Sequence, residues 1–205
     1  MLLTAFIGAS LVTMFRNLAL ILGSVVFSFT AQANLIANGE FEDQAISSGV
    51  FDYVLSLSGW TVTDVSGPYR GAVLFNAGYQ PVGDGQSLQL EDHGDSISQT
   101  LATVVGQTYE LTFDMSAYPS PGTAMVRVDV GTFSDDFTGT FLDGYVAQSA
   151  LFTATSTDTL ITFESLASGD VRYPHLDNIV VQAVPAPAGI LLLGLGLLVL
   201  GSARR

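Results

Sequence analysis

The chain has 205 residues, of which 48% are hydrophobic and only 12% charged, about half the charged fraction of an ordinary soluble domain. Nineteen acidic residues stand against six arginines, and both lysine and cysteine are absent. That excludes disulfides, thiolate catalysis and cysteine-ligated metals, and it leaves no basic surface able to displace counterions from a nucleic acid.

The N-terminal end reads as a secretory signal. Arg16 precedes an apolar run over residues 18–29, followed by Thr30-Ala31-Gln32-Ala33. Ala31 and Ala33 supply the small-x-small pattern that signal peptidase requires, with cleavage after Ala33. Residues 2–13 are also apolar and precede the positive charge, so a start at Met14 gives the more regular signal. A retained membrane helix is the alternative reading of this segment.

The middle, residues 34–183, is an acidic body. Every carboxylate of the chain lies between Glu40 and Asp177, where the only cations are Arg70, Arg127 and Arg172, a balance of −16. Period-2 alternation recurs along it. Tyr109, Leu111, Phe113 and Met115 alternate with polar residues, as do Ala124, Val126, Val128 and Val130. Each set puts apolar side chains on one face of a strand. Shorter candidates cover 51–57, 60–65, 72–75, 87–90, 97–101, 151–154, 160–164 and 176–182. Turn clusters separate them, such as Ser66-Gly67-Pro68, His93-Gly94-Asp95 and Pro119-Ser120-Pro121-Gly122. No segment of the body holds a helical period. Eight to ten short strands predict an all-β sandwich or jelly roll, with Trp60, Phe113, Phe152 and Phe163 in its core.

The C-terminal end, residues 184–205, begins with Val184-Pro185-Ala186-Pro187, continues in an uncharged apolar run over 188–200, and closes on Arg204 and Arg205. As a helix, residues 188–203 would reach roughly 24 Å, short of a ~30 Å hydrocarbon core. The arginine pair would stay cytoplasmic by the positive-inside rule, leaving the body outside. These features resemble the PEP-CTERM sorting signal of exopolysaccharide-producing Gram-negative bacteria, with Ala186 where that signal has Glu. The resemblance implies an exosortase-type membrane protease as partner, alongside signal peptidase. It also implies a destination in the cell envelope, at the cell surface or in the extracellular matrix. A plain transmembrane tail anchor is the alternative.

The body carries a second resemblance. It opens on Asn34-Leu35-Ile36-Ala37-Asn38-Gly39-Glu40-Phe41-Glu42, continues through Ser58-Gly59-Trp60-Thr61 and Gly106-Gln107-Thr108-Tyr109-Glu110-Leu111, and closes on Leu176-Asp177-Asn178-Ile179-Val180-Val181. This ordered set is similar to the galactose-binding-like jelly rolls, including carbohydrate-binding modules and DUF642-type secreted proteins. The resemblance implies a structural Ca²⁺ held between the opening turn and the last strand, with Glu40, Glu42 and Asp177 as ligands and carbonyls near Asn38 completing the shell.

Catalytic signatures are missing: there is no Gly-x-Ser-x-Gly elbow, no His-Glu-x-x-His and no phosphate-cradling glycine loop. No residue is assigned a catalytic role. The two histidines, His93 and His175, are both read as loop residues. Sugar binding asks for less, namely aromatic faces and a few polar groups. Tyr69 beside Arg70, Tyr79, Tyr118, Tyr145 and Tyr173 are the loop-placed candidates. The sequence thus predicts an exported, non-catalytic protein that binds or organises extracellular polysaccharide. A purely structural or adhesive surface protein is the first alternative, and an envelope glycan hydrolase the second.

Overall fold

Among the described residues, eleven strands run in chain order: β1 (Phe51–Val54), β2 (Thr61–Thr63), β3 (Ala72–Phe75), β4 (Ser87–Leu90), β5 (Ser96–Ala102), β6 (Thr108–Tyr118), β7 (Thr123–Val130), β8 (Phe133–Thr140), β9 (Val146–Thr153), β10 (Asp158–Ser165) and β11 (Val171–Ala183). The computed structural model describes residues 33–46, 50–65, 67, 71–76, 85–118, 122–169 and 171–185. Ala31, the sorting residues Ala186, Pro187, Arg204 and Arg205, and the candidates Tyr69, Arg70 and Tyr79 lie outside the described residues. No helix occurs among the described residues.

The strands divide into two antiparallel sheets. One has the order β1-β3-β4-β11-β6-β9. The other has the order β2-β5-β10-β7-β8. β11 joins them: Val171 and Arg172 pair in parallel with Thr123 and Ala124 of β7, and the rest of the strand runs between β4 and β6.

Alternation decides what lies between the sheets. Leu111, Phe113 and Met115 of β6 meet Val126, Val128 and Val130 of β7 and Ile161 and Phe163 of β10 in one apolar core. Phe113 and Phe163 join the sheets edge to face at 5.3 Å, a favoured aromatic geometry. The four large residues expected inside, Trp60, Phe113, Phe152 and Phe163, are all buried. β8 has no counterpart in the expected strands. Only its half-buried Phe133 and Phe137 pack against the core, while Ser134, Asp135 and Asp136 are exposed. Its charges suit an edge strand that must not recruit another chain.

The opening segment is sewn to the closing strand. Asn34 Oδ1 accepts from the Ile36 and Val181 backbone N–H groups, each at 3.0 Å. Leu35 N donates to Val181 O at 2.9 Å, and Ile179 N donates to Gly39 O at 3.0 Å. β11 makes room with a bulge between Asp177 and Val180, where Asn178 has φ 52°. Asn is one of the few side chains that tolerates this left-handed conformation. Opposite the bulge, a Cβ on Gly39 would lie 2.0 Å from Ile179 O, so only glycine fits.

Next along the segment, Asn38 O accepts from Trp60 Nε1 at 3.1 Å, Asn38 Nδ2 donates to Ser58 O at 2.9 Å, and Asn38 Oδ1 accepts from Asp43 N at 3.2 Å. Gln99 of β5 clamps the same region through Ala37 N, Ala37 O and Gly59 O. Phe41 takes φ 57°, a strained value for an aromatic residue. Burying its ring, 6.1 Å from that of Trp60, offsets the strain by about 2 kcal/mol. Urea unfolding is expected to show that Gly39→Ala lowers stability by about 3 kcal/mol or more and Asn34→Ala by about 2 kcal/mol. Losses under about 0.5 kcal/mol in both would show that this seam is not what closes the sandwich.

Candidate functional site

The face of the six-stranded sheet turned away from the core is built by register. Opposed residues of antiparallel neighbours share a face. Tyr53 opposes Val73 and Phe51 opposes Phe75 between β1 and β3; Phe75 opposes Ser87 and Val73 opposes Gln89 between β3 and β4. His175 opposes both Gln89 of β4 and Ser116 of β6, Tyr173 opposes Tyr118, and Asp177 opposes Asp114. The core takes the alternate residues, such as Leu74, Leu88, Met115 and Leu176.

This outer face is a second layer rather than a wetted surface. Val73, Phe75, Ser87, Gln89, Ser116 and His175 are all buried. Ring contacts form a row across it: Phe51–Tyr53 at 5.8 Å, Phe51–Phe75 at 5.6 Å, Phe75–His175 at 4.9 Å and His175–Tyr118 at 5.6 Å. The outer end of the row is open, with Phe51 37% and Tyr53 50% exposed.

Polar groups are set among these rings. His175 Nε2 lies 2.6 Å from Gln89 Oε1, and Gln89 Nε2 donates to Glu91 Oε1 at 2.9 Å. His175 Nδ1 and the Tyr145 hydroxyl are buried without a hydrogen-bond partner. Burial pulls the His175 pKa from 6.5 down to about 3. Burial also pushes the Tyr145 hydroxyl up, and the carboxylates of Asp177 and Asp114 add to that shift. Ser87 is near enough to oppose it but does not meet hydrogen-bond geometry.

Of the sugar-contact candidates expected in loops, Tyr118 instead ends β6 and Tyr173 lies within β11, side by side on this face, while Tyr145 does precede β9 and is within electrostatic reach of Asp177 and Asp114, which belong to the face. Sequence reasoning missed Phe51, Tyr53, Phe75 and Gln89. Alternation along residues 51–53 was the available signal for the first two. His175 is a correction: it was expected in a loop and lies inside β11, fully buried. Pro174 hid it, because proline reads as a strand breaker; here its neighbours pair normally on both sides. His93 does sit exposed in the turn before β5.

Glu40, Glu42 and Asp177 line one polar cleft of about 440 Å³ with Asn76, Gly85, Gln86 and Asn178. Their oxygens are the donors a hard cation prefers. Several are already engaged. Glu42 Oε1 accepts from Gln86 N and Oε2 from Gln86 Nε2 at 3.3 Å, while Asp177 Oδ1 accepts from Asn178 N at 2.7 Å. A Cβ at Gly85 would displace the Glu42 carboxylate from its present position. Among the described residues, no three acidic or histidine side chains stand close enough together to hold a metal. In kind, the donors fit calcium.

Six antiparallel strands packed on five, around one core, define a two-sheet jelly-roll sandwich. Among solved structures, the chain is similar to the CBM22-1 xylan-binding domain of Paenibacillus barcinonensis Xyn10C, at 16% identity and a TM-score of 0.51, covering 78% of this chain and 100% of that one. It is similar also to the CBM22-1–CBM22-2 tandem of the same protein, at 16% identity and a TM-score of 0.53, covering 78% of this chain and 48% of that one. At such identity the likeness is one of fold. Comparison with curated protein sequences returns no match. The chain belongs to the DUF642 family, described as a protein of unknown function, whose model matches residues 34–182.

The buried histidine has a linkage consequence. His175 stays neutral in the folded chain down to about pH 3, while the unfolded chain takes up its proton below about 6.5. The unfolded state therefore binds more protons across that window. The contribution is full above pH 6.5 and is lost as pH falls toward 3, at about 1.4 kcal/mol per pH unit. Asp95, whose carboxyl burial raises, contributes in the opposite sense, so the difference between proteins is the quantity to read. Denaturant titrations at pH 7, 6, 5 and 4 are expected to show a shallower acid loss in His175→Phe than in the wild type. Parallel curves would place a proton on His175 in the folded state.

Proposed function

We propose that this chain is an exported, non-catalytic protein that binds or organises extracellular polysaccharide through the outer face of its six-stranded sheet. The observation that carries the reading is the aromatic row from Tyr53 through Phe51 and Phe75 to Tyr118, crossing the strands beside buried polar groups. Sugars bind where ring faces receive their CH groups and fixed polar atoms receive their hydroxyls. The fold shared with a xylan-binding domain supports the same reading. The acidic body disfavours anionic polymers and is compatible with neutral ones.

Phe51 and Tyr53 are exposed enough to be removed without loss of core packing. Calorimetry against a panel of neutral polysaccharides is expected to find a binder, and Phe51→Ala with Tyr53→Ala to weaken it about tenfold or more at an unchanged melting temperature. Undiminished affinity in that variant would move the site elsewhere. Turnover of any polysaccharide would overturn the non-catalytic reading.

Export and sorting are part of the proposal and rest on the terminal segments. Signal peptidase acts after Ala33, and an exosortase-type protease acts near Val184, Pro185, Ala186 and Pro187, ahead of Arg204 and Arg205. Mass spectrometry of the mature protein is expected to find Asn34 at its N-terminus and the arginine pair removed. A cytosolic chain with both ends intact would overturn this.

Calcium belongs to the proposal at the cleft of Glu40, Glu42 and Asp177, where it would draw together Glu40 and the carboxylates of Glu42 and Asp177, which now bond to backbone and amide groups. A cation that binds only the folded chain raises its stability by mass action. The melting temperature is expected to be higher in millimolar Ca²⁺ than in EDTA, and identical midpoints would remove calcium from the account.

A further inference from the structure

The chain Glu91–Gln89–His175 fixes a protonation state. A carboxylate only accepts hydrogen bonds, so Glu91 Oε1 orients the Gln89 amide with its nitrogen toward Glu91, at 2.9 Å. That leaves Gln89 Oε1, an acceptor, facing His175 Nε2 at 2.6 Å. Nε2 must therefore carry the hydrogen, and in a neutral imidazole the other nitrogen is then a bare acceptor. That nitrogen, Nδ1, is buried and has no partner. A buried acceptor left unsatisfied costs about 1–3 kcal/mol, so an ordinary core would not keep one.

Its place makes it informative. His175 belongs to the outer face, between the rings of Phe75 and Tyr118, not to the apolar core. A second unpaired polar atom, the Tyr145 hydroxyl, serves the same face within reach of Asp177 and Asp114. Asp177 and His175 are two residues apart on β11, a pleat repeat on the order of 7 Å. The face therefore holds one acceptor and one hydroxyl, with the rings of Phe75 and Tyr118 against the histidine. Both atoms are buried, so a sugar reaches them only when this face opens.

We propose that His175 Nδ1 is the hydrogen-bond acceptor of the polysaccharide site, receiving a sugar hydroxyl and thereby selecting a neutral, hydroxyl-presenting unit over a uronate. This rests on the polysaccharide-binding reading above and adds the chemistry of one subsite. A hydroxyl can donate to a bare ring nitrogen. A uronate keeps its ring hydroxyls, but its carboxylate is acceptor only, gives this nitrogen nothing at that position, and is repelled by Asp114 and Asp177 on the same face.

The test uses ¹⁵N-labelled full-length chain. Imidazole ¹⁵N spectra are expected to show Nε2 protonated and Nδ1 as an unprotonated, unbonded nitrogen. Saturation with the tightest-binding neutral oligosaccharide from the panel is expected to move the Nδ1 resonance toward the hydrogen-bonded position. Polygalacturonate oligomers are expected to bind at least tenfold more weakly. Calorimetric binding of the neutral sugar with Nδ1 unmoved would overturn the proposal while leaving the polysaccharide reading intact. An Nδ1 already hydrogen-bonded without sugar would assign it to a buried water, and a preference for the uronate would overturn the selectivity. If no glycan binds at all, the broader reading falls and this one with it. The double variant His175→Phe, Gln89→Leu keeps the ring stack and leaves no orphaned amide. It is expected to lose affinity about tenfold, and wild-type affinity in the folded double variant would overturn the proposal. Should that variant not fold, the wild-type spectra decide.

Discussion

The sandwich closes because its first residues are bonded to its last strand. Asn34, Leu35 and Gly39 all bond to the stretch from Ile179 to Val181 of β11, and the close approach of Gly39 to Ile179 O leaves no space for a side chain. Among the described residues, β11 is the strand whose backbone pairs into both sheets. Fixing its bulge therefore fixes how the sheets meet. The same seam carries Phe41 inward against Trp60, and Trp60 against Phe163 of the opposite sheet at 6.1 Å. A segment with almost no regular secondary structure thus sets the alignment of eleven strands. Without cysteine, this hydrogen-bonded seam does what a disulfide does in many exported domains.

The outer face follows from that closure. Once β11 runs between β4 and β6, its odd-numbered residues Tyr173, His175 and Asp177 must face away from the core, opposite Tyr118, Ser116 and Asp114. β3 and β4 then bury both of their faces, one against the core and one beneath the second layer. Burial on both sides asks for apolar or internally bonded residues throughout. Ala72–Phe75 meets the demand with apolar side chains, and Ser87–Leu90 meets it through the bond of Gln89 to His175. The unpaired Nδ1 of His175 is the point at which that satisfaction stops.

Much of this was legible in the residues. The strands with clean alternation, β6 and β7, the short apolar run of β3 and the short β4 stand where the pattern predicted, because a half-buried or doubly buried strand has few other ways to place its side chains. β8 was not legible. Phe133-Ser134-Asp135-Asp136-Phe137 holds too few apolar residues to read as a strand, since an edge strand packs only two rings. The outer site was half legible. Tyr118, Tyr145 and Tyr173 stand out in the sequence as loop-placed tyrosines, but the pairing of Tyr118 with Tyr173 depends on the register of β6 against β11, which a one-dimensional pattern does not contain. His175 was misplaced because the residue types around it describe a loop, and only pairing with β4 and β6 shows a strand.

The acidity of the body has a structural side as well as a solvation side. Three arginines cannot neutralise nineteen carboxylates, so ion pairing is a minor device; the Arg127–Asp136 pair at 2.8 Å is a surface one. Instead the carboxylates accept from backbone N–H groups at turns. Asp95 receives Val65 N and Asp92 N, Asp64 receives Gly67 N, Glu42 receives Gln86 N, and Asp177 receives Asn178 N. Such bonds lock loops in a chain with no lysine to spare, and salt screens them far less than it screens exposed ion pairs. They also commit much of the negative charge to holding the fold rather than to attracting cations. The outer face shows the same use of charge: Asp114 accepts from Asn178 Nδ2 at 2.9 Å, and Asp177 accepts from the backbone N–H of its own neighbour.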